Sequence, residues 1–129
     1  AGKVQPFRVP LSPAALEVVR ECAETAQDDY LFPSYRQGAC ISQTAILKAL
    51  NAVNEAGRPH GFRSSFREWV QDTNACSYDV AETVLAHAVG GKVERTYARS
   101  DLLDARRVVM GKWADHVTGE AAKVVRLRG

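Results

Sequence analysis

Apolar positions along this chain recur mostly at helical spacing. Ala15, Leu16, Val19, Cys22, Ala23 and Ala26 fall on one face, which predicts a helix from Pro13 to about Ala26. Ser12 is placed to cap it, and Pro13 suits a first helical position. A second helix starts at the Ser42 cap and buries Ile46, Ala49, Leu50 and Val53 before Gly57 and Pro59 end it. A third runs from about Phe62 to Thr73 with Phe62, Phe66, Trp69 and Val70 inside. A fourth covers about Tyr78 to Ala88 around Val80, Val84 and Leu85, until Gly90-Gly91 break it. A short helical segment holds Tyr97. The last helix is expected from about Asp101, its cap, to Val117, with Leu102, Leu103, Val109, Met110, Trp113, Ala114 and Val117 as its stripe and Gly119 as its stop.

Two stretches break the helical period. Residues 4–11 read as a short strand, which Pro6 and Pro10 confine to a sheet edge or hairpin arm. Residues 27–41 are irregular, with Pro33 and Gly38 as breakers. Tyr30, Leu31, Phe32 and Tyr35 make this loop apolar enough to be expected to pack down. The pattern is mainly α with a small N-terminal β element, in one domain over 1–119, followed by a basic tail over 120–129.

Composition narrows the class. At 129 residues and 46% apolar, the chain has enough material for a core. It lacks an apolar run of the roughly 18 residues that a membrane span needs. With no secretory signal pattern either, the expected compartment is the cytoplasm. Cys22, Cys40 and Cys76 are odd in number and contain no CxxC pair, so reduced thiols are expected rather than a disulfide framework or a zinc site. Net charge is only +2, but residues 91–129 hold nine Lys/Arg against five Asp/Glu, a local +4. That basic third fits a polyanionic partner and fits a solvated helix face almost as well.

Three places carry candidate chemistry. His60-Gly61-Phe62-Arg63 sits where a loop enters a helix, whose unpaired backbone N–H groups and positive dipole end favour phosphate. Spacing of three puts His60 and Arg63 on one side, and a guanidinium holds two phosphate oxygens in a fork. Taken alone, the same residues read as a capping histidine and a surface arginine. His87 ends an apolar helix, where the dipole stabilises a histidine without any further role. Tyr97 lies between Arg95 and Arg99, which lower the cost of a phenolate, although a lone tyrosine on a short helix is ordinarily packing.

In order along the chain, His-x-x-Arg, Leu85-Ala86-His87 and Tyr97 resemble the C-terminal signature of tyrosine recombinases. The gaps are 24 residues from Arg63 to His87 and ten from His87 to Tyr97. The resemblance is nearest to integrases of temperate phages and genomic islands, through His60–Arg63, Leu85–His87, Tyr97–Leu103, Arg106-Arg107 and Trp113-Ala114. Arg8-Val9-Pro10-Leu11-Ser12 is similar to the segment after the family's β-hairpin, and Phe32-Pro33 and Ile41-Ser42 fit as well.

This resemblance implies the catalytic-domain fold of the family, truncated at its N-terminus. It implies cutting and rejoining of double-stranded DNA through a 3′-phosphotyrosyl link, with no cofactor, metal or small-molecule substrate. Tyr97 is the implied nucleophile, Arg63 the ligand of the non-bridging oxygens, His60 an orienting group or base, and His87 a hydrogen-bond donor to the phosphate. The family also uses an arginine upstream of the hairpin and a lysine within it. Lys3 is the one lysine in the hairpin region here, and residues 1–129 by themselves are expected not to cleave. His60, His87 and His116 lack metal-ligand spacing. Ser42, Gln43, Thr44 and Lys48 on the second helix are candidate DNA contacts together with Arg95 and Arg99, against the alternative of an ordinary polar face. Homotetramers on DNA are implied, with the tail over 120–129 docking on a neighbour, or on its own domain when alone, against the alternative of a frayed terminus.

Two other classes remain to be separated from this one. A non-catalytic helical DNA-binding module predicts DNA binding that survives Tyr97→Phe with no covalent adduct. A protein-interaction domain predicts no salt-dependent DNA affinity.

Overall fold

The computed structural model describes residues 7–53, 56–87 and 101–119. Five helices order the described chain: α1 Pro13–Glu24, α2 Gln43–Ala52, α3 Gly61–Thr73, α4 Tyr78–Val84 and α5 Leu103–Thr118. Their ends follow from side chains and backbone that satisfy otherwise unpaired groups. Ser42 caps α2 by accepting from the Ala45 N–H at 3.2 Å, and Ser77 caps α4 by accepting from Val80 N–H. α3 stops as Asn74 turns to φ +50° and the Ala75 N–H reaches back to the Val70 carbonyl. α5 stops at Gly119, whose φ of +76° is cheap only for glycine.

The described residues fall into two compact units, one within 13–66 and one combining those before residue 13 with those after residue 66. In the first, α1 and α2 flank the irregular segment. That segment is pinned by a Pro33↔Cys40 bridge, by Ser34 N–H on the Ala39 carbonyl at 2.8 Å, and by Gly38 N–H on the Asp28 carboxylate at 3.0 Å. Gly38 sits at φ +72° to close this turn.

In the second unit α4 packs against α5. Val70, Val80, Ala81, Leu85 and Val109 are its buried apolar side chains. Trp69, Trp113 and His116 form a ring cluster with centroids 5.2–5.7 Å apart, in which Trp113 and His116 stack and Trp69 is tilted against both.

One charged residue shares this interior. Arg106 is 1% exposed, lies 4.5 Å over the Phe7 ring, and donates to the backbone carbonyls of Asp101, at 3.1 Å, and Arg8. Arg8 in turn holds the Asp101 carboxylate in a two-bond fork at 2.8 and 2.9 Å. The Arg106 Nε has no hydrogen-bond partner, so that guanidinium is held by carbonyls and an aromatic face rather than fully satisfied.

The helical class expected from the apolar period is observed. Several finer expectations need correction. Residues 7–12 contain no strand, and the described residues hold only the isolated bridges Gln27↔Tyr30 and Pro33↔Cys40. Residues 4–6 of the expected strand lie outside the described residues. The apolar loop does not pack down: Tyr35 is 92% exposed, and its ring carries the Arg36 guanidinium at 5.7 Å.

Neither α1 nor α2 buries a residue, and Val53, expected inside, is exposed. Phe62 and Val117 are also exposed, because each sits at a helix end beyond the packed span. α4 ends at Val84, earlier than expected, since Ala86 adopts a left-handed φ of +55°. Asp101 is not the N-cap of α5. Leu102 occupies that position, and the Asp101 carboxylate is turned to Arg8.

Candidate functional site

The His60–Arg63 stretch lies at the start of α3, as the loop-to-helix reading requires, but its backbone differs from that reading. The Gly61 N–H donates to the Arg58 carbonyl at 2.8 Å, Phe62 N–H to Pro59 and Arg63 N–H to His60. A 3₁₀-like turn therefore uses the N–H groups that a free helix start would offer to phosphate. Any phosphate here meets side chains and the dipole, not a ring of open amides.

His60 is exposed and lines a groove of about 390 Å³ with Gln43, Ile46, Leu47, Arg58 and Pro59. Gln43, one of the candidate DNA contacts, is thus brought beside His60. Arg58 adds a cation that the sequence pattern did not single out. Arg63 is half-buried on the first turn of α3. Thr44 and Lys48 are exposed on α2, whereas the Ser42 hydroxyl is committed to its cap.

His87 is built by the way α4 stops. With Ala86 left-handed, the Ala86 N–H donates to the Thr83 carbonyl at 3.0 Å and the His87 N–H to the Glu82 carbonyl at 2.9 Å. These are the two bonds of a Schellman stop, which sets the residue after the left-handed one against the residue five earlier. Here that pairing is polar. His87 Nδ1 lies 2.8 Å from Glu82 Oε2, and Arg67 Nη1 lies 2.8 Å from Glu82 Oε1. The Arg67 guanidinium also rests 4.7 Å over the Tyr78 ring. Neither Glu82 nor Arg67 was singled out by sequence. The five-residue spacing of Glu82 and His87 pairs them only once the helix stop between them is known, and no sequence signal marks Arg67.

Tyr97, Arg95, Arg99 and Lys3 lie outside the described residues, as does the tail over 120–129. His60 and Arg63 belong to one compact unit and His87 to the other, and each is described within its own. Among the described residues no cluster of three His, Cys, Asp or Glu could hold a metal ion. No described helix is long and apolar enough to cross a membrane.

Comparison with known proteins gives a consistent set of relatives. The chain is 29% identical over 116 residues to the prophage integrase IntZ of Escherichia coli K12, covering 88% of this chain and 29% of that protein. It is 29% identical over 126 residues to the integrase of Enterobacteria phage P4, covering 92% of this chain and 29% of that one. Prophage integrase IntA of Escherichia coli K12 is 32% identical over 113 residues, 84% of this chain and 27% of its own length. The chain thus spans less than a third of the length of these relatives. No family model matches the chain, and no solved structure matches it. Along most of its length, this chain is similar to a part of the phage and prophage integrases.

Proposed function

We propose that this chain is part of a site-specific DNA recombinase that cuts and rejoins double-stranded DNA with Tyr97 as the nucleophile. The observation that carries the reading is the ordered set His60-x-x-Arg63, His87 and Tyr97 in a chain similar to integrases over most of its length. The phenolic oxygen of Tyr97, having given up its proton, attacks the scissile phosphorus. A 3′-phosphotyrosyl ester forms, and the 5′-oxygen leaves with a proton as a hydroxyl. Joining is the reverse attack by a 5′-hydroxyl, so no external energy source is consumed.

Arg63 stabilises the non-bridging oxygens as charge develops on them. His60 orients the phosphate or takes a proton, and His87 donates to it. These side chains and Tyr97 must converge on one phosphate. Gln43, Thr44, Lys48, Arg95 and Arg99 are the proposed contacts to DNA. Assembly as a homotetramer on DNA, with residues 120–129 docked on a neighbouring protomer, belongs to the same proposal.

The test is covalent trapping on nicked DNA by a full-length integrase that contains this sequence. A denaturation-resistant protein–DNA adduct is expected, and Tyr97→Phe is expected to abolish it while DNA binding persists. An adduct of undiminished yield from Tyr97→Phe would overturn the assignment. Salt-dependent binding with no adduct from either protein would instead indicate a DNA-binding module without catalysis.

A further inference from the structure

Glu82 divides its two carboxylate oxygens between two donors, Arg67 Nη1 and His87 Nδ1, each at 2.8 Å. Its side chain is 13% exposed, while that of His87 is 50% exposed. A largely buried anchor therefore holds a ring that reaches the surface. An ionised carboxylate has acceptors only, so the imidazole nitrogen facing it carries the proton. Three features fix the anchor itself. Glu82 sits in α4 between the buried Ala81 and Leu85, Arg67 ties it to α3, and Arg67 rests on the Tyr78 ring at the start of α4. The backbone contributes independently, since the Schellman stop at Ala86 sets His87 against Glu82 through main-chain bonds alone.

From this geometry we infer that Glu82 is a positioning residue for DNA cleavage and acts through His87. It holds the ring with the proton on Nδ1 and makes Nε2 the nitrogen that meets the scissile phosphate. The inference rests on the role proposed above for His87. Nε2 then takes up a proton from the reacting groups or, once it carries one, gives the phosphate a charge-assisted hydrogen bond. A neutral ring with the opposite tautomer presents a donor at Nε2 that cannot take up a proton there.

The isosteric variant Glu82→Gln separates positioning from packing. Glutamine has one acceptor oxygen and one donor NH₂. Arg67 can only donate, so it claims the oxygen, and the NH₂ turns to His87 Nδ1, which must become an acceptor. The imidazole ¹⁵N shifts of His87 are therefore expected to change from the Nδ1–H tautomer in the parent to the Nε2–H tautomer in the variant, with helical content unchanged. In the full-length integrase, Glu82→Gln is expected to slow single-turnover cleavage by about tenfold or more, the scale typical of partners that orient an active histidine. DNA affinity is expected to stay within about twofold.

In a His87→Ala background the Glu82→Gln change should add nothing further, because both changes remove one function. An unchanged tautomer in Glu82→Gln overturns the inference. So does a Glu82→Gln rate loss that persists in full without His87. Failure of the phosphotyrosyl reading shows separately, as an adduct that survives Tyr97→Phe, and the tautomer comparison is independent of that result.

Discussion

Helices α1 and α2 carry the same kind of apolar stripe as α4 and α5, yet the first pair buries no residue while the second holds Val80, Ala81, Arg106 and Val109. Periodicity reports which face a helix would bury, and only a partner surface decides whether that face is covered. In α4 and α5 each helix supplies the other's cover. Arg106 adds what a stripe cannot, by joining α5 to residues 7–8 through carbonyls and a ring.

The largest effect that would sharpen this contrast is at Arg106. Arg106→Ala leaves two carbonyls without their donor and the Phe7 ring without its cation, and is expected to cost about 3 kcal/mol in a urea melt. A loss as small as that of a surface substitution would show that the buried guanidinium anchors nothing. Next comes Val109, 1% exposed, where truncation to alanine should cost about 2 kcal/mol. Val18→Ala on the exposed side of α1 should stay within about 0.5 kcal/mol. Equal losses at Val109 and Val18 would break the comparison.

Thiol chemistry gives a milder readout. Burial pushes the Cys76 thiol up, against the Lys112 and Arg67 charges that favour its thiolate, whereas Cys40 is exposed on the irregular segment of the other unit. Maleimide at neutral pH is expected to label Cys40 ahead of Cys76. The reverse order would mean that the second unit opens more readily than the first.

The smallest effect is electrostatic. Desolvation raises the Asp101 carboxyl, but the Arg8 hydrogen bond and charge, the Leu103 backbone N–H and the Arg106 charge outweigh it and leave it below its ordinary value. A carboxyl depressed by folding contributes stability above its unfolded pKa of about 3.9 and loses it as pH falls through the folded value. Acid melts taken below about pH 4 should therefore show a loss that Asp101→Asn removes. Identical acid profiles for the two proteins would rule that contribution out.

The helices were legible because serine caps, helical apolar spacing and the Gly119 stop are local signals. Ser42 is the cap that the sequence pattern placed, the Ser77 cap of α4 was not singled out, and α3 and α5 lie where the spacing places them. What was not legible depended on tertiary cover or on backbone conformation. Tyr35 and Phe32 looked too apolar for a loop, yet the backbone bonds that fix this segment leave both rings exposed. Arg106 lay in plain view on the α5 stripe, at four residues from Leu102 and three from Val109. A charge at a core position is nonetheless read as surface unless its carbonyl partners are known.

At the candidate site, His60, Arg63 and His87 were identifiable as residue types in order. Glu82, the largely buried partner of His87, was not, because a left-handed alanine ending a helix leaves no compositional mark.

The bonds from Arg8 to Asp101 and from Arg106 to the Arg8 carbonyl join residues 93 and 98 positions apart, in a chain whose other described contacts are mainly local. In kinetic terms this closure is the slow-earned part of the fold. The helices form from neighbouring residues, whereas bringing these ends together costs loop entropy before any bond rewards it. The join is thus expected to form after the folding barrier is crossed. Weakening it should steepen escape from the native state while refolding keeps its pace, so that in a chevron plot the unfolding arm rises and the folding arm stays in place.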